Sequence, residues 1–339
     1  MEPREHTVIG VDVGGTKVAA ALVRARLPQP DATGSSPVPV VLDRVSAPSR
    51  DADAEESLEG IAAVIERLAP GAGKLEGIGI GAPSTVDFAA GRLVATVHLP
   101  LADVPLRDLM SRRFGVPVAV DNDGAAAAIG EWAWGAGVGT SHLVMLTLGT
   151  GVGGGIIAGG RPYRGFSGAA AELGHIMVDV DGPPCPGDCP NNGCLEAYVS
   201  GTAMGRAAVA EARRRPESSL GRALAAGETV DSRLLTSLGL AGDPDAVEVL
   251  TRTGELLGAG LVTLVNAFNP ERILIGGGAA AAGELLLAPA RRVVAQRALR
   301  PGRDEVRVLP AALGADAGVI GAAALALMEL FPDAPGPLS

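Results

Sequence analysis

Two glycine turns, each set after a run of β-forming residues, restrict the fold of this chain most strongly. Gly14-Gly15-Thr16 separates the runs at residues 7–13 and 17–23, and Gly149-Thr150-Gly151 follows the run at 142–148. A strand, a short glycine turn and a second strand predict a β-hairpin rather than a crossover to a helix. The pattern returns after the length of a whole domain, which indicates an internal duplication.

Both turns have the chemistry of a phosphate-binding loop. Glycine has no Cβ, so such a turn can present backbone N–H groups to an anion, and Thr16 or Thr150 adds a hydroxyl. Asp12 precedes the first turn, where it can hold Mg²⁺, and Lys17 follows it. A third glycine corner, Gly276-Gly277-Gly278, ends another predicted strand. Neither of the first two turns is a Walker P-loop or a Rossmann fingerprint. A plain hairpin turn is the alternative interpretation.

The other segments alternate between helical and strand-like patterns. Apolar residues recur at helical spacing or form short runs, which predict helices at 54–68, 124–134, 202–215, 246–265 and 317–330 and buried strands at 75–80, 116–120 and 272–275. Strands that alternate with helices predict an α/β fold with mainly parallel sheets.

Composition excludes several classes of protein. A length of 339 residues favours two domains, and a net charge of −10 argues against a nucleic-acid surface. The first residues show no secretory signal pattern, and Gly, Arg, Asp or Pro interrupts every apolar run before it reaches membrane-spanning length. We therefore expect a cytoplasmic protein that binds neither nucleic acid nor membrane.

The three cysteines form one cluster in the sequence. Cys185, Cys189 and Cys194 lie in a loop rich in Pro, Gly and Asn. An odd number of clustered thiols fits metal ligands in a reducing compartment better than a disulfide scaffold. With one imidazole they would complete a tetrahedral Zn²⁺ site, and three buried apolar cysteines are the alternative.

Two further pairs of polar residues are candidates for chemistry. Asn122-Asp123 lies where a predicted strand meets a predicted helix, and Asp123 is either the N-cap of that helix or a carboxylate for acid–base catalysis. Glu172 and His175 have the Glu-x-x-His spacing, which on a helix places both side chains on one face. Such a pair is either a binding site or a surface salt bridge.

Four motifs together resemble the ROK family (repressors, uncharacterised frames and kinases) of the actin-like ATPase superfamily. They are Asp12-Val-Gly-Gly-Thr-Lys17, Asn122-Asp123, Glu172-Leu-Gly-His175 and Cys194-Leu-Glu196-Ala-Tyr198. The resemblance covers nearly the whole chain. It implies two α/β lobes of ribonuclease-H-like type with a cleft between them, one lobe at 1–121 plus about 317–332 and a larger one at 122–316 that carries a zinc knuckle at 175–196.

The resemblance also implies roles for individual residues. Asp123 would be the general base, and sugar would bind to Gly81, Asn122, Asp123, Glu172, His175 and Glu196. MgATP would bind to Asp12, Gly14, Gly15, Thr16, Lys17, Gly149, Thr150, Gly151, Gly276, Gly277 and Gly278. A structural zinc ion would be held by His175, Cys185, Cys189 and Cys194.

The chain departs from the family pattern in four places. Gly124-Ala125 follows the Asn-Asp pair where the family often continues with Asn at the second position, and Ala171 stands where Gly is frequent. His98 replaces an Asn before Leu-Pro. Three residues, rather than one, separate Cys185 from Cys189, so Asp188 is an alternative fourth zinc ligand.

The function expected from these residues is an ATP-dependent hexose kinase, with glucose as the favoured sugar and phosphorylation at the 6-hydroxyl. A kinase for N-acetylmannosamine, fructose or allose, a polyphosphate-using glucokinase, an actin-like ATPase and a non-catalytic sugar sensor are the alternatives. Only about six residues precede Thr7, so we expect no helix-turn-helix of a repressor. The resemblance further implies a homodimer or homotetramer.

Overall fold

The first glycine turn joins two antiparallel strands, as the sequence predicts. The computed structural model describes residues 5–26, 38–96, 99–187 and 189–331. Its strands are β1 His6–Val13, β2 Lys17–Ala25, β3 Val40–Pro48, β4 Gly77–Ala82, β5 Ser84–Asp87, β6 Arg92–Thr96, β7 Val118–Asn122, β8 Leu143–Leu148, β9 Val152–Ala158, β10 Arg161–Pro162, β11 Arg272–Gly276 and β12 Arg307–Pro310. His98 and Asp188 lie outside the described residues.

All five predicted helices are present, and the described residues form six more that the sequence did not predict. The helices are α1 Ala54–Leu68, α2 Leu106–Phe114, α3 Asp123–Trp134, α4 Glu196–Val199, α5 Gly201–Arg214, α6 Ser219–Ala225, α7 Ser232–Leu240, α8 Pro244–Phe268, α9 Glu284–Arg297, α10 Gly302–Glu305 and α11 Ala317–Leu330. The predicted bounds of α1 and α11 are confirmed residue for residue. Asp53 caps α1 by accepting the N–H of Glu56, so the start of that helix is encoded locally.

Two five-stranded sheets have the same strand order, which supports the predicted duplication. The orders are β3-β2-β1-β4-β7 and β10-β9-β8-β11-β12. The pairs β1–β4, β4–β7, β8–β11 and β11–β12 are parallel. The pairs β1–β2, β2–β3 and β9–β10 are antiparallel. The prediction of mainly parallel sheets is therefore wrong in detail, because the hairpin strands make each sheet mixed.

The last helix packs unusually closely against the first sheet. A Cβ added to Gly10 would lie 1.9 Å from the carbonyl oxygen of Val319, and one added to Gly79 would lie 1.8 Å from that of Ala322. Only glycine on β1 and β4 allows the helix backbone to approach so near. Glu131 of α3 is fully buried and accepts the N–H groups of Ala312, at 3.0 Å, and Leu313, at 2.7 Å.

Contacts divide the chain into two compact units. The first takes residues up to Ser141, then Gly155–Ala171, and the chain from Ala312 onward, whereas the second takes His142–Gly154 and Glu172–Ala311. The lobe boundary at residues 121 and 122 stays a prediction, because lobes are defined by relative motion and these units by proximity. Within the described residues, no helix combines the length and the apolar character needed to cross a bilayer.

Candidate active site and metal site

The Asn122-Asp123 pair lies at the junction of β7 and α3, in the first unit. Asn122 has extended backbone angles, and its side-chain oxygen accepts the N–H of Ala125 at 3.1 Å. The N-cap is therefore Asn122, and the prediction that Asp123 caps the helix is wrong. The side-chain amide of Asn122 also donates to the carbonyl of Ser84, at 3.3 Å, which ties the cap to the start of β5.

Asp123 does not cap the helix, and its carboxylate lies close to that of Asp12. Its Oδ1 accepts the N–H of Gly124 at 2.8 Å, and burial raises the pKa of Asp123 above its ordinary value. Burial, followed by the charge of Asp123, raises the pKa of Asp12 to about 6, while Lys17 opposes the shift. Two half-buried carboxylates that repel each other are a suitable environment for Mg²⁺, which binds through oxygen ligands.

The first glycine turn is held from one side. Ser49 donates its hydroxyl to the carbonyl of Gly14 at 2.6 Å and its N–H to the carbonyl of Thr16 at 3.0 Å. In a trans peptide the N–H points opposite the carbonyl, so the N–H of Gly15 is directed away from Ser49. An N–H that points to this side of the turn can donate to a bound anion.

Gly81 is part of a strand rather than of a loop after it. It lies in β4, and a Cβ at this position would come within 3.2 Å of the side chain of Ala126 and 3.4 Å of the Cα of Asp123. The predicted strand at 75–80 therefore continues through Gly81, and the sugar contact assigned to Gly81 stays a prediction. Gly81 instead leaves room for the first turn of α3, which carries Asp123.

The second glycine turn, in the second unit, is held in a comparable way. The carbonyl of Gly149 accepts the N–H of Gly201 at 2.7 Å, and that of Thr150 accepts the hydroxyl of Thr202 at 2.8 Å. By the same trans-peptide argument, the N–H groups of Thr150 and Gly151 point away from α5.

The third glycine corner adjoins this second turn. Gly277 has a φ of 87°, and a Cβ there would lie 2.5 Å from the carbonyl oxygen of Leu148, the residue before Gly149. Only a residue without a side chain satisfies both conditions. The structure thus brings the predicted nucleotide residues at 149–151 and 276–278 together, which their separation in the sequence did not show.

Glu196 has a contact that the sequence did not predict. Its side chain is buried, and its Oε2 accepts the N–H of Val152 at 2.6 Å. A Cβ on Gly151 would lie 2.5 Å from the same oxygen. A carboxylate that the resemblance assigns to sugar therefore holds the end of the second glycine turn.

Glu172 and His175 are not on an α-helix. A short 3₁₀ segment covers Leu173–His175, Glu172 is exposed immediately before it, and the N–H of His175 donates to the carbonyl of Glu172. The Glu-x-x-His spacing therefore does not place the two side chains on one face of an α-helix here. His175 instead directs its Nδ1 toward Cys185, at 3.4 Å from the sulfur.

The predicted zinc ligands come together. His175, Cys185, Cys189 and Cys194 place one donor atom each within 4.8 Å of all the others, and the sulfurs of Cys189 and Cys194 are 3.9 Å apart. A tetrahedral ion with Zn–S bonds of ~2.3 Å separates its sulfur ligands by about 3.8 Å. Cys185 joins the cluster despite its different spacing. Burial, with the neighbouring thiols, raises the pKa of Cys185, so a divalent cation would be needed to stabilise thiolates here.

The backbone around the cluster links its two ends. Met177 pairs with Cys194 in an antiparallel bridge, and Leu195 donates its N–H to the carbonyl of Ile176. The hydroxyl of Tyr198 donates to Asp179 at 2.8 Å. An ion in the cluster would therefore fix the segment from His175 to Cys194, which leads directly into Glu196.

Comparison with known proteins agrees with the motifs. The model of the ROK family matches residues 8–329. The chain belongs to the ROK family. It is 35% identical over 319 residues to the glucokinase of Halalkalibacterium halodurans, which covers 92% of each chain. It is 31% identical over 263 residues to the xylose repressor of Caldicellulosiruptor bescii, covering 76% of this chain and 64% of the repressor.

A solved structure shares the architecture. The ROK glucokinase from Streptomyces griseus, crystallised with glucose and AMPPNP, is 36% identical and has a TM-score of 0.80. The match covers 95% of this chain and 99% of that one. The predicted two-lobed fold of the actin-like ATPase type is confirmed by this likeness. The His/Cys₃ cluster is consistent with a structural zinc ion.

Proposed function

We propose that this ROK protein is an ATP-dependent hexose kinase that phosphorylates glucose on its 6-hydroxyl. The observation that carries the proposal is the carboxylate pair Asp12 and Asp123, at the end of β1 and the start of α3, next to an oriented glycine turn. Glucokinase relatives at about one-third identity over nearly the whole chain support the sugar and the reaction.

Asp123 is the general base in this proposal. Its carboxylate accepts the proton of the sugar hydroxyl as that oxygen attacks the γ-phosphorus of ATP, while the bond from this phosphorus to the bridging oxygen breaks and ADP leaves. A carboxylate with a raised pKa is a stronger base than one with an ordinary pKa, and the N–H of Gly124 keeps this one oriented. We assign sugar hydroxyl contacts to Asn122, Glu172, His175 and Glu196.

MgATP supplies the transferred phosphoryl group and the cation that offsets its charge. We assign the cation to Asp12 and the phosphates to the oriented N–H groups of the two glycine turns, with the corner at 276–278 beside the second turn. Zinc, bound by the His/Cys₃ cluster, has a structural role, because four protein ligands leave no open position for a reactive water. His175 bound through Nδ1 would keep Nε2 available for a sugar hydroxyl.

A coupled ADP-release assay with a panel of hexoses tests the proposal. Glucose with Mg²⁺ and ATP should give the highest kcat/KM, and replacing ATP with polyphosphate should abolish turnover. A preference of tenfold or more for N-acetylmannosamine, fructose or allose would overturn the choice of sugar. Glucose binding without ADP release would favour a sugar sensor, a class that the xylose repressor relatives represent.

We also propose a cytoplasmic location. The homodimer or homotetramer stays a prediction.

A further inference from the structure

Asp121, the residue before the Asn-Asp pair, is a buried carboxylate with an arginine partner. Only 4% of Asp121 is exposed, and its Oδ2 accepts from Nε of Arg164 at 2.8 Å and lies 2.7 Å from Nη2 of that guanidinium. The other oxygen, Oδ1, accepts the backbone N–H of Asn122 at 2.9 Å. The guanidinium of Arg164 thus holds the Asp121 carboxylate in place, and this carboxylate holds the backbone at Asn122, between β7 and α3.

Arg164 is itself held in place by an aromatic ring. Its guanidinium carbon lies 3.7 Å from the centre of the Phe88 ring, in the turn between β5 and β6. Arg107 donates to the carbonyls of Phe88 and, at 2.9 Å, Ala89, so this turn is braced from the other side. Stacking and a two-point ion pair together select arginine, since lysine has neither a planar group nor a second donor in a fixed direction.

The segment that carries Arg164 leads to Glu172. It docks on the hairpin that the antiparallel strands β5 and β6 form, because Gly168 has a φ of 84° and a Cβ there would lie 1.9 Å from the carbonyl oxygen of Val86. Within the first unit, Arg164 therefore links two parts of the chain. One is the segment that precedes Glu172, and the other is Asp121, which precedes Asn122; Glu172 and Asn122 are both assigned to sugar.

We propose that Arg164, acting through Asp121, is a positioning residue for sugar binding. The inference rests on the proposed function. Without the guanidinium, Asp121 would be a buried carboxylate with no cationic partner, and a pair broken on one side costs far more than the intact pair contributes. The junction at Asn122 would then shift or take up water, and the sugar contacts would change before the nucleotide contacts.

Arg164→Gln tests the proposal because it should change the KM for glucose and leave the KM for ATP nearly unchanged. The KM for glucose should rise about tenfold or more, while the KM for ATP stays within about twofold of wild type. The double variant Asp121→Asn/Arg164→Gln should have a KM for glucose at least about threefold lower than that of Arg164→Gln, because no carboxylate is left unpaired. Arg92→Gln is the control: it removes another arginine–aspartate pair on the same hairpin, with Asp103 at 2.7 Å, and should leave both KM values unchanged.

Three results would overturn the role. They are a glucose KM within about twofold of wild type in Arg164→Gln, a parallel rise of both KM values, and a double variant no better than the single one. If Arg164→Gln does not fold, Arg164→Lys keeps the charge, and it should raise the glucose KM alone by a smaller factor. If the wild type phosphorylates no hexose, the proposed function fails separately, and calorimetric glucose binding by the same variants still decides whether Arg164 positions the sugar contacts.

Discussion

Asp12→Asn should make the protein more stable at neutral pH while removing its activity. Burial and the charge of Asp123 raise the pKa of Asp12 from 3.8 to about 6, against the opposing effect of Lys17. Above pH 6 the carboxylate is ionised in both the folded and the unfolded chain, so folding has to bury a charge. A shift of this size corresponds to a destabilisation of about 3 kcal/mol, at ~1.36 kcal/mol for each pKa unit.

The sign of the effect gives a pH window. A carboxyl group whose pKa is raised by folding is neutral in both states below its unfolded pKa, 3.8. At such pH values it does not lower the free energy of unfolding. The cost grows as the pH rises toward 6 and is complete above it. Asparagine carries no charge, so the stability gained by Asp12→Asn should be small at pH 4, increase between pH 4 and 6, and level off at about 2–3 kcal/mol.

Urea unfolding of the wild type and of Asp12→Asn, across this pH range, measures the difference directly. The buffer should contain no Mg²⁺ or nucleotide, and no chelator, so that any zinc is retained. Asp51→Asn, at an exposed position, should change the free energy of unfolding by less than ~0.5 kcal/mol. Added Mg²⁺ should narrow the gap by stabilising only the wild type. A variant that is no more stable than the wild type at pH 7.5 would show that Asp12 carries no such electrostatic cost.

Four further outcomes are expected. Asp123→Asn should lower kcat by ~10²–10⁴-fold in the ADP-release assay without lowering the Tm, and near-normal turnover would leave Asp123 without a role as base. Cys185→Ser should lose zinc in elemental analysis and lower the Tm, whereas full zinc occupancy would mean that another residue is the fourth ligand. Glu196→Gln should weaken calorimetric ADP binding in the absence of sugar, because the Glu196 carboxylate accepts the N–H of Val152 at the end of the second glycine turn; an unchanged affinity would contradict that link. Ala171→Gly should raise the free energy of unfolding by about 0.5–1 kcal/mol, since Ala171 has a φ of 69°; a decrease in urea unfolding would contradict this.

The sequence by itself determined the features that depend on neighbours along the chain. The apolar periodicity of α1 and α11 sets which face each helix buries, so their bounds could be predicted from the residues alone. The glycine turn after Asp12 and the hairpin around it follow from local backbone preferences. The cysteine cluster was also accessible, because its ligands lie within one short segment.

Only the tertiary structure decided which distant groups share a hydrogen bond or a charge. The N-cap moved by one residue, from Asp123 to Asn122, because pairing with β4 extends β7 to that position, and this freed the carboxylate. Arg164 reaches Asp121 from 43 positions away, and Glu196 reaches Val152 from 44. No local pattern encodes such pairs, since each depends on how sheets and helices pack; a buried carboxylate then accepts whichever donors the fold places beside it.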